Sequence, residues 1–367
     1  MIRKFPLNIA LGVSLLSFLL AQNLFAQETD NPEKGQLQSG KVIGQHIFGL
    51  AHDVSGDPLL VDDSALIYPN PLATFEVDIK EQVFQVSLFD HLFGGAYLSR
   101  LDDGLTVNTQ AIDFGDVNGV SSIGAATKTE WSSVLFTEHQ LIDAKSSDHK
   151  SLYVDYFKGQ SDLHKPYNYG WLNEIVVLDE YGTNKAIKNF VAGRLFASHL
   201  LAMSGGQEFY FFDARYSGNL YLFKADQPQS FAKGTLYVVD DRGVSTELGQ
   251  SSALKMKFKL KKTEFSDVFE VDEPLNKQCS KGMTFIRTVY GEECLSVLKK
   301  NRKYAGQFEP IRSSALLGIS PFFKSTNVDD TQALELRYDS NKTAIQLYKN
   351  GQLEKQVIIE SAGSEQS

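Results

Sequence analysis

From residue 43 onward, short apolar runs alternate with clusters of glycine, aspartate, asparagine and proline. Runs of this length between turn-forming residues predict β-strands. Phenylalanine occurs 25 times and tyrosine 15 times, and both favour packed sheet faces. The predicted strands include Ala73–Ile79, Val83–Leu88, Ser133–Thr137, Leu152–Phe157, Ile175–Leu178, Glu208–Phe212, Asn219–Lys224 and Thr235–Val239.

The C-terminal region gives a sharp local prediction. Ala333–Tyr338 has the composition of a strand, and Ala344–Tyr348 and Leu353–Ile359 flank Asn350-Gly351. Asn-Gly accepts the positive φ angles of a type I′ turn. The last two strands are therefore predicted to form a β-hairpin.

Helices are predicted in two places only. A short helical turn is expected around Arg194–Leu201. A better short helix is predicted at Gly291–Arg302, where acids come early and bases late, as the helix dipole favours.

Residues 255–262 alternate lysine with apolar side chains, in the order K-M-K-F-K-L-K-K. This alternation predicts an edge strand whose outer face is protected by lysines. The alternative interpretation is a cationic strip that binds a phosphate or a polyanion.

The first residues predict a signal peptide over residues 1–26. Arg3 and Lys4 precede an apolar stretch from Leu7 to Ala21, and Ala26 suits a signal peptidase. Residues 27–42 are polar and predict a flexible tail. The chain is therefore expected to be exported to the periplasm or the extracellular space.

The balance of charges narrows the expected partners. The formal net charge is −9, which argues against non-specific nucleic-acid binding because phosphate binding needs a cationic surface. No later segment reaches the roughly 18 apolar residues that suggest a membrane span. The oligomeric state is not predicted.

The two cysteines, Cys279 and Cys294, would meet an oxidising compartment after export. A disulfide between them is the predicted state, with two free thiols as the alternative. Their spacing is not typical of a zinc site.

An ordered run of motifs resembles the PhoX-type secreted alkaline phosphatases, which are calcium- and iron-dependent β-propellers. The resemblance implies an all-β propeller with few short helices, formed by residues 43–360 as one domain with an insertion at 271–305. It also implies a small phosphorylated substrate. The motifs are Asp113-Phe114-Gly115, E-W-S-S-V-L-F-T-E-H at 130–139, P-Y-N-Y-G-W-L-N-E-I at 166–175, G-R-L-F-A-S-H at 193–199, residues 211–225 and G-T-L-Y-V-V-D at 234–240.

The same resemblance implies a reduced set of site residues. Where the family has a Glu-Glu pair, this chain has Glu138-His139, and where the family has Asp-Asp, it has Asp213-Ala214. A family glutamate is replaced by Leu200, and an Arg-Pro-Glu ending by Lys-Ser-Thr at 324–326. The implied metal ligands are Glu138, His139 and Asp213, for calcium and iron or for no metal at all. The implied catalytic residues are Glu138, Arg194 and His199.

Three hypotheses follow. The first is a divergent metal-dependent phosphoesterase with a degraded metal site, because hard cations take six or more oxygen ligands and several carboxylates are missing. The second is a non-catalytic propeller that binds a ligand. The third is a structural protein of the cell surface.

Overall fold

The computed structural model describes residues 39–43, 46–146, 153–160, 164–213, 217–324 and 334–359. The predicted signal peptide and most of the predicted tail lie outside these residues. Within them, no helix is long and apolar enough to cross a membrane.

Twenty-five strands and four short α-helices make up the described structure. In chain order, the strands are β1 (Val42–Ile43), β2 (His46–Ile47), β3 (Leu60–Val61), β4 (Ser64–Ala65), β5 (Ala73–Ile79), β6 (Gln82–Phe89), β7 (Gly95–Asp102), β8 (Leu105–Ala111), β9 (Ile123–Lys128), β10 (Ser133–Glu138), β11 (Leu172–Val177), β12 (Asn184–Lys188), β13 (His199–Ala202), β14 (Glu208–Phe212), β15 (Ser217–Gly218), β16 (Leu220–Gln227), β17 (Ser230–Val239), β18 (Ser245–Ser252), β19 (Phe269–Asp272), β20 (Thr284–Thr288), β21 (Gly291–Val297), β22 (Phe323–Lys324), β23 (Leu334–Asp339), β24 (Ala344–Lys349) and β25 (Gln352–Ile358). The helices are α1 (Ala253–Leu260), α2 (Phe265–Val268), α3 (Ala305–Phe308) and α4 (Pro310–Leu316).

Four antiparallel meanders follow one another along the chain. Sheet 1 is β5–β8, sheet 2 is β9–β12, sheet 3 is β13, β14 and β16–β18, and sheet 4 is β23–β25. The first strand of each sheet packs near the first strand of the next, from β5 through β9 and β13 to β23. The predicted fold class, all-β with few short helices and propeller-like sheets, is confirmed.

Sheets 2 and 3 lie between the other two sheets and are buried on both faces, which explains the unbroken apolar runs of their strands. In β10, Val134 and Phe136 pack against sheet 1, whereas Leu135 packs against sheet 3. In β14, Phe211 faces sheet 2 and Phe212 faces sheet 4. Successive side chains of a strand point to opposite faces, so a strand between two sheets needs apolar residues at every position.

The predicted C-terminal hairpin is present as β24 and β25. Asn350 and Gly351 have φ angles of 51° and 77°, as a type I′ turn requires. In contrast, the predicted strand at 152–157 is wrong where it can be described, because residues 153–159 form turns.

The predicted strand at 255–262 is also wrong, because these residues form most of helix α1. The alternation of lysine and apolar residues is compatible with either structure. Met256 and Leu260 lie four residues apart and so share one helical face, and Met256 is fully buried. Lysine is also a good helix former.

The helices predicted at 291–302 and 194–201 are likewise wrong. Residues 291–297 form β21, which pairs with both β19 and β20, and residues 199–202 form β13 at the start of sheet 3. At 291–297 the pairing of strands outweighs the local charge pattern, and at 199–202 it replaces the expected helical turn.

Residues 253–316, between sheet 3 and sheet 4, include the predicted insertion at 271–305 and contribute most of one apolar cluster. Met256, Phe265 and Leu295 pack in this cluster with Trp171, which lies just before β11. Cys279 and Cys294 are joined by a disulfide, with 5.5 Å between their Cα atoms.

Candidate functional site

Glu138, at the end of β10, is completely buried and uses both carboxylate oxygens. Oε1 accepts hydrogen bonds from the Ser121 backbone N–H at 3.0 Å and from the Lys188 ammonium at 3.1 Å. Oε2 accepts from the backbone N–H groups of Gly170 at 2.8 Å and Trp171 at 3.0 Å. To bind a metal, this carboxylate would have to give up bonds that hold three chain segments.

Lys188, on β12, is as buried as its partner. Burial lowers the pKa of Lys188, and the charge of Glu138 opposes that shift. Its ammonium also donates to the Asn168 carbonyl at 2.6 Å and lies over the Tyr169 ring. The pair therefore fixes the loop before β11.

Arg194 is buried, and its guanidinium forms hydrogen bonds with the same loop. Nε donates to the Tyr169 carbonyl at 2.9 Å, and NH2 donates to the carbonyls of Ile142 at 2.5 Å and Pro166 at 3.0 Å. NH1 donates to Glu309 at 3.2 Å. These bonds use four of the five guanidinium N–H groups, and the guanidinium also lies against the rings of Tyr167 and Phe196. The described contacts of Arg194 are thus structural, and its catalytic role stays a prediction.

Glu138 and Arg194 hold opposite ends of one peptide group. Arg194 binds the carbonyl of Tyr169, and Glu138 binds the N–H of Gly170, which belongs to the same peptide unit. Gly170 has a φ of 93°, and a Cβ there would lie 2.6 Å from the Phe196 ring. The Glu, Tyr-Gly-Trp and Gly-Arg motifs thus form one structural clamp.

The clamp continues into residues 253–316 through a second buried arginine. Arg312 pairs with Glu309 at 3.0 Å, Glu293 at 2.7 Å and Asp143 at 2.9 Å. Burial acts to lower the pKa of Arg312, but these carboxylates outweigh it and raise the pKa above the ordinary value. Because Glu309 bridges Arg194 and Arg312, the ion pairs join this region to the sheets.

His199, at the start of β13, has both ring nitrogens in hydrogen bonds. Nε2–H donates to the Leu334 carbonyl at 2.8 Å, which leaves Nδ1 to accept from the Ser198 hydroxyl at 2.9 Å. Burial lowers the pKa of His199 and so favours this neutral form. The lone pair that a general base or metal ligand needs is already used.

Asp213 and His139 lie at the ends of neighbouring sheets. Asp213 is buried after β14, and its backbone N–H donates to the Asn219 carbonyl at 3.3 Å. The His139 backbone N–H donates to the Ser122 carbonyl at 2.8 Å, and its ring lies near Asp90. Burial raises the pKa of Asp90, and the charge of His139 opposes that shift.

Sequence reasoning missed Asp90, although a repeated signal was present. An acid ends the second strand of three consecutive sheets, at Asp90, Glu138 and Asp213, and histidine follows the first two. Among the described residues, however, no three His, Cys, Asp or Glu side chains group together as a metal site. Glu138, His139 and Asp213 are therefore not grouped as a three-ligand site within the described residues, and the calcium and iron that the resemblance implies stay a prediction.

A different site lies on α1, in the segment predicted as a cationic strip in the alternative interpretation. A cleft of about 550 Å³ separates α1 from residues 299–304. Tyr304 and Asn301 hold Lys259 through a ring contact and a 3.3 Å hydrogen bond, and Asp267 holds Lys300 at 2.6 Å. The cleft is lined by Lys255, Phe258, Lys259, Lys262, Thr263, Asp267, Lys300, Asn301 and Tyr304.

Charge is concentrated around this cleft. Residues 255–262 contain five lysines and no acid, and residues 299–303 contain three lysines and an arginine and no acid. Three of the first five lysines lie on α1 and two lie just after it. None of these five lysines forms an ion pair with another residue that the structure describes. Lys300 is neutralised by Asp267, whereas the other cations of the two segments have no ion-pair partner among the described residues. Such a cluster beside a cleft attracts anions.

Comparison with known proteins adds little to this geometry. No protein-family model matches the chain, and no curated protein matches it in sequence. A solved structure, Pseudomonas fluorescens PhoX in complex with vanadate, a transition state analogue, matches with a TM-score of 0.33 and 11% identity. That match covers 88% of this chain and 86% of the other. Similarity at this level says nothing about what this chain binds or catalyses.

Proposed function

We propose that this chain is an exported, non-catalytic binding protein that presents the cleft beside α1 to an anionic ligand. The observation that carries the proposal is the cluster of unpaired lysines on α1, in a chain whose net charge is −9. A concentration of one charge sign on an oppositely charged protein raises the local concentration of a complementary ligand.

A phosphoesterase is the weaker candidate. Phosphoryl transfer depends on positioned groups that stabilise charge on the transferring phosphoryl group. Glu138 and Arg194 are buried in the clamp, and both ring nitrogens of His199 are hydrogen-bonded. These three residues bond to other parts of the protein and stabilise the fold, whereas a catalytic site would keep polar groups open to substrate.

Binding is tested with fluorescently labelled inorganic polyphosphate, followed by anisotropy. We expect saturable binding that weakens with salt, because salt screens exposed charges. The double charge reversal Lys255→Glu/Lys262→Glu should abolish it. The matched control, Lys185→Glu/Lys281→Glu, reverses two exposed lysines elsewhere and should leave binding unchanged. Equal binding by both variants would refute the proposed site.

Catalysis is tested separately with an aryl phosphate in the presence of calcium, iron, manganese or zinc. We expect no cation-dependent release of phosphate. Release that is lost in His199→Gln and kept in His46→Gln would restore the phosphoesterase hypothesis, since His46 is an exposed histidine outside the predicted site.

A further inference from the structure

We infer that the anion recognised by α1 is the surface of an anionic lipid membrane, on which the helix lies flat. This inference rests on the proposed function, because it names the ligand of the same cationic site. It concerns attachment to the surface and involves no membrane-spanning segment.

Two large apolar side chains are held in water on the outer face of α1. Leu254 is 66% exposed and Phe258 is 63% exposed. They lie four residues apart and therefore next to each other on the helix surface. Met256, on the opposite face, is fully buried, so the helix is already anchored to the protein and Leu254 and Phe258 are left outward.

Lysines flank this apolar pair on both sides. At 3.6 residues per turn, Lys257 and Lys261 fall to one side of Phe258, and Lys255 and Lys262 fall to the other. Apolar residues between two rows of cations are typical of helices that lie in the interface of a membrane.

A second basic segment continues the same surface. Lys299, Lys300, Arg302 and Lys303 are exposed. Asn301, in the middle of the segment, is buried and accepts a hydrogen bond from Lys259 at 3.3 Å, which places the segment beside α1. Clusters of four to eight basic residues near a membrane surface attract anionic lipids.

The exposed apolar pair favours a membrane over a soluble polyanion. A soluble polyanion would pair with the lysines and leave Leu254 and Phe258 in water. A lipid surface accepts both, because phosphates meet the lysines while the apolar tips enter the boundary with the acyl chains. The acidic remainder of the chain would be repelled by the same membrane, which orients α1 toward it.

The test is flotation of the full chain with vesicles made of equal parts phosphatidylglycerol and phosphatidylcholine, and with vesicles of phosphatidylcholine alone. We expect binding to the anionic vesicles and little to the neutral ones. Leu254→Ser/Phe258→Ser should bind the anionic vesicles at least about tenfold more weakly, because it removes only apolar surface. Leu254→Ser alone, whose side chain is not among those lining the cleft, should bind polyphosphate normally. The N-terminal apolar segment is common to all variants, so it does not affect this comparison.

Leu105→Ser/Tyr181→Ser is the matched control, since these two residues are 70% and 83% exposed elsewhere on the surface. Vesicle binding by this control should equal that of the parent. If Leu254→Ser/Phe258→Ser also binds vesicles like the parent, the inference is overturned. If the parent binds polyphosphate but not the anionic vesicles, the inference is overturned and the proposed function stands. If the parent binds neither, the proposed function itself is refuted.

Discussion

The clamp around the Tyr169–Gly170 peptide and the surface of α1 both contain many charged residues, but the charges are buried and paired in the clamp and exposed on α1. In the clamp, Glu138 and Arg194 are buried, and both are hydrogen-bonded to the peptide group between Tyr169 and Gly170. Lys255 on α1 and Lys262 just after it are exposed and form no ion pair with a described carboxylate.

The difference distinguishes charged residues that stabilise the fold from charged residues that are available to a ligand. A buried charge must be paired, since an unpaired one is strongly destabilising, so a pair such as Glu138–Lys188 indicates a structural constraint. An exposed cluster of like charges repels itself, and this repulsion opposes the fold even though each lysine favours a helix. Such a cluster is better explained by a ligand.

The largest expected effect comes from breaking the clamp. Lys188→Ala leaves Glu138 buried without its cation and should lower the free energy of unfolding by about 3–5 kcal/mol. Urea unfolding followed by circular dichroism measures the loss. Lys185→Ala is the matched control on the same strand, where the lysine is exposed, and should change stability by less than about 0.5 kcal/mol. Equal losses in the two variants would show that the buried pair is not a structural element.

The next effect concerns the disulfide that closes the turn beside β21. Replacing Cys279 and Cys294 with serine should lower the free energy of unfolding by about 3 kcal/mol, as expected for a loop of about 15 residues. Unfolding of the parent with and without a reductant gives an independent measure. If the reductant shifts the parent but not the double variant, the effect belongs to this bond; equal shifts would contradict it.

Sequence reasoning found the strands because double burial leaves a long apolar run that is easy to detect. It assigned α1 to a strand because K-M-K-F-K-L-K-K fits a period of two, and only the packing of Met256 selects the helix. It singled out Glu138 as a metal ligand, which stays a prediction, and did not foresee the protein partners of this carboxylate. These partners, Gly170 and Lys188, lie 32 and 50 residues away, a distance that no local pattern reveals.

A smaller effect should appear on acidification. Burial lowers the pKa of His52, His91 and His199 below the ordinary 6.5. Above pH 6.5 both folded and unfolded states hold these rings neutral, and as the pH falls the unfolded state binds protons first. Stability should therefore decrease below pH 6.5, by at most about 1.4 kcal/mol per pH unit for each histidine.

His199→Gln keeps a neutral side chain that can hydrogen-bond, and should make the unfolding free energy less dependent on pH below 6.5. His46→Gln, at an exposed position, serves as the control. The same pH dependence in His199→Gln and in the parent would show that His199 is not among the groups responsible.

The smallest expected effect has the opposite sign and tests the comparison most directly. Lys255 and Lys259 are like charges four residues apart on α1, and such pairs are destabilising by roughly 0.2–0.5 kcal/mol. Lys255→Gln should therefore raise the unfolding free energy by about that amount at low salt, and the gain should vanish at high salt. The same variant should bind polyphosphate more weakly. A variant that is both more stable and a poorer binder would show that Lys255 serves the ligand and slightly destabilises the fold. A loss of stability would instead show that Lys255 is a structural charge like those of the clamp.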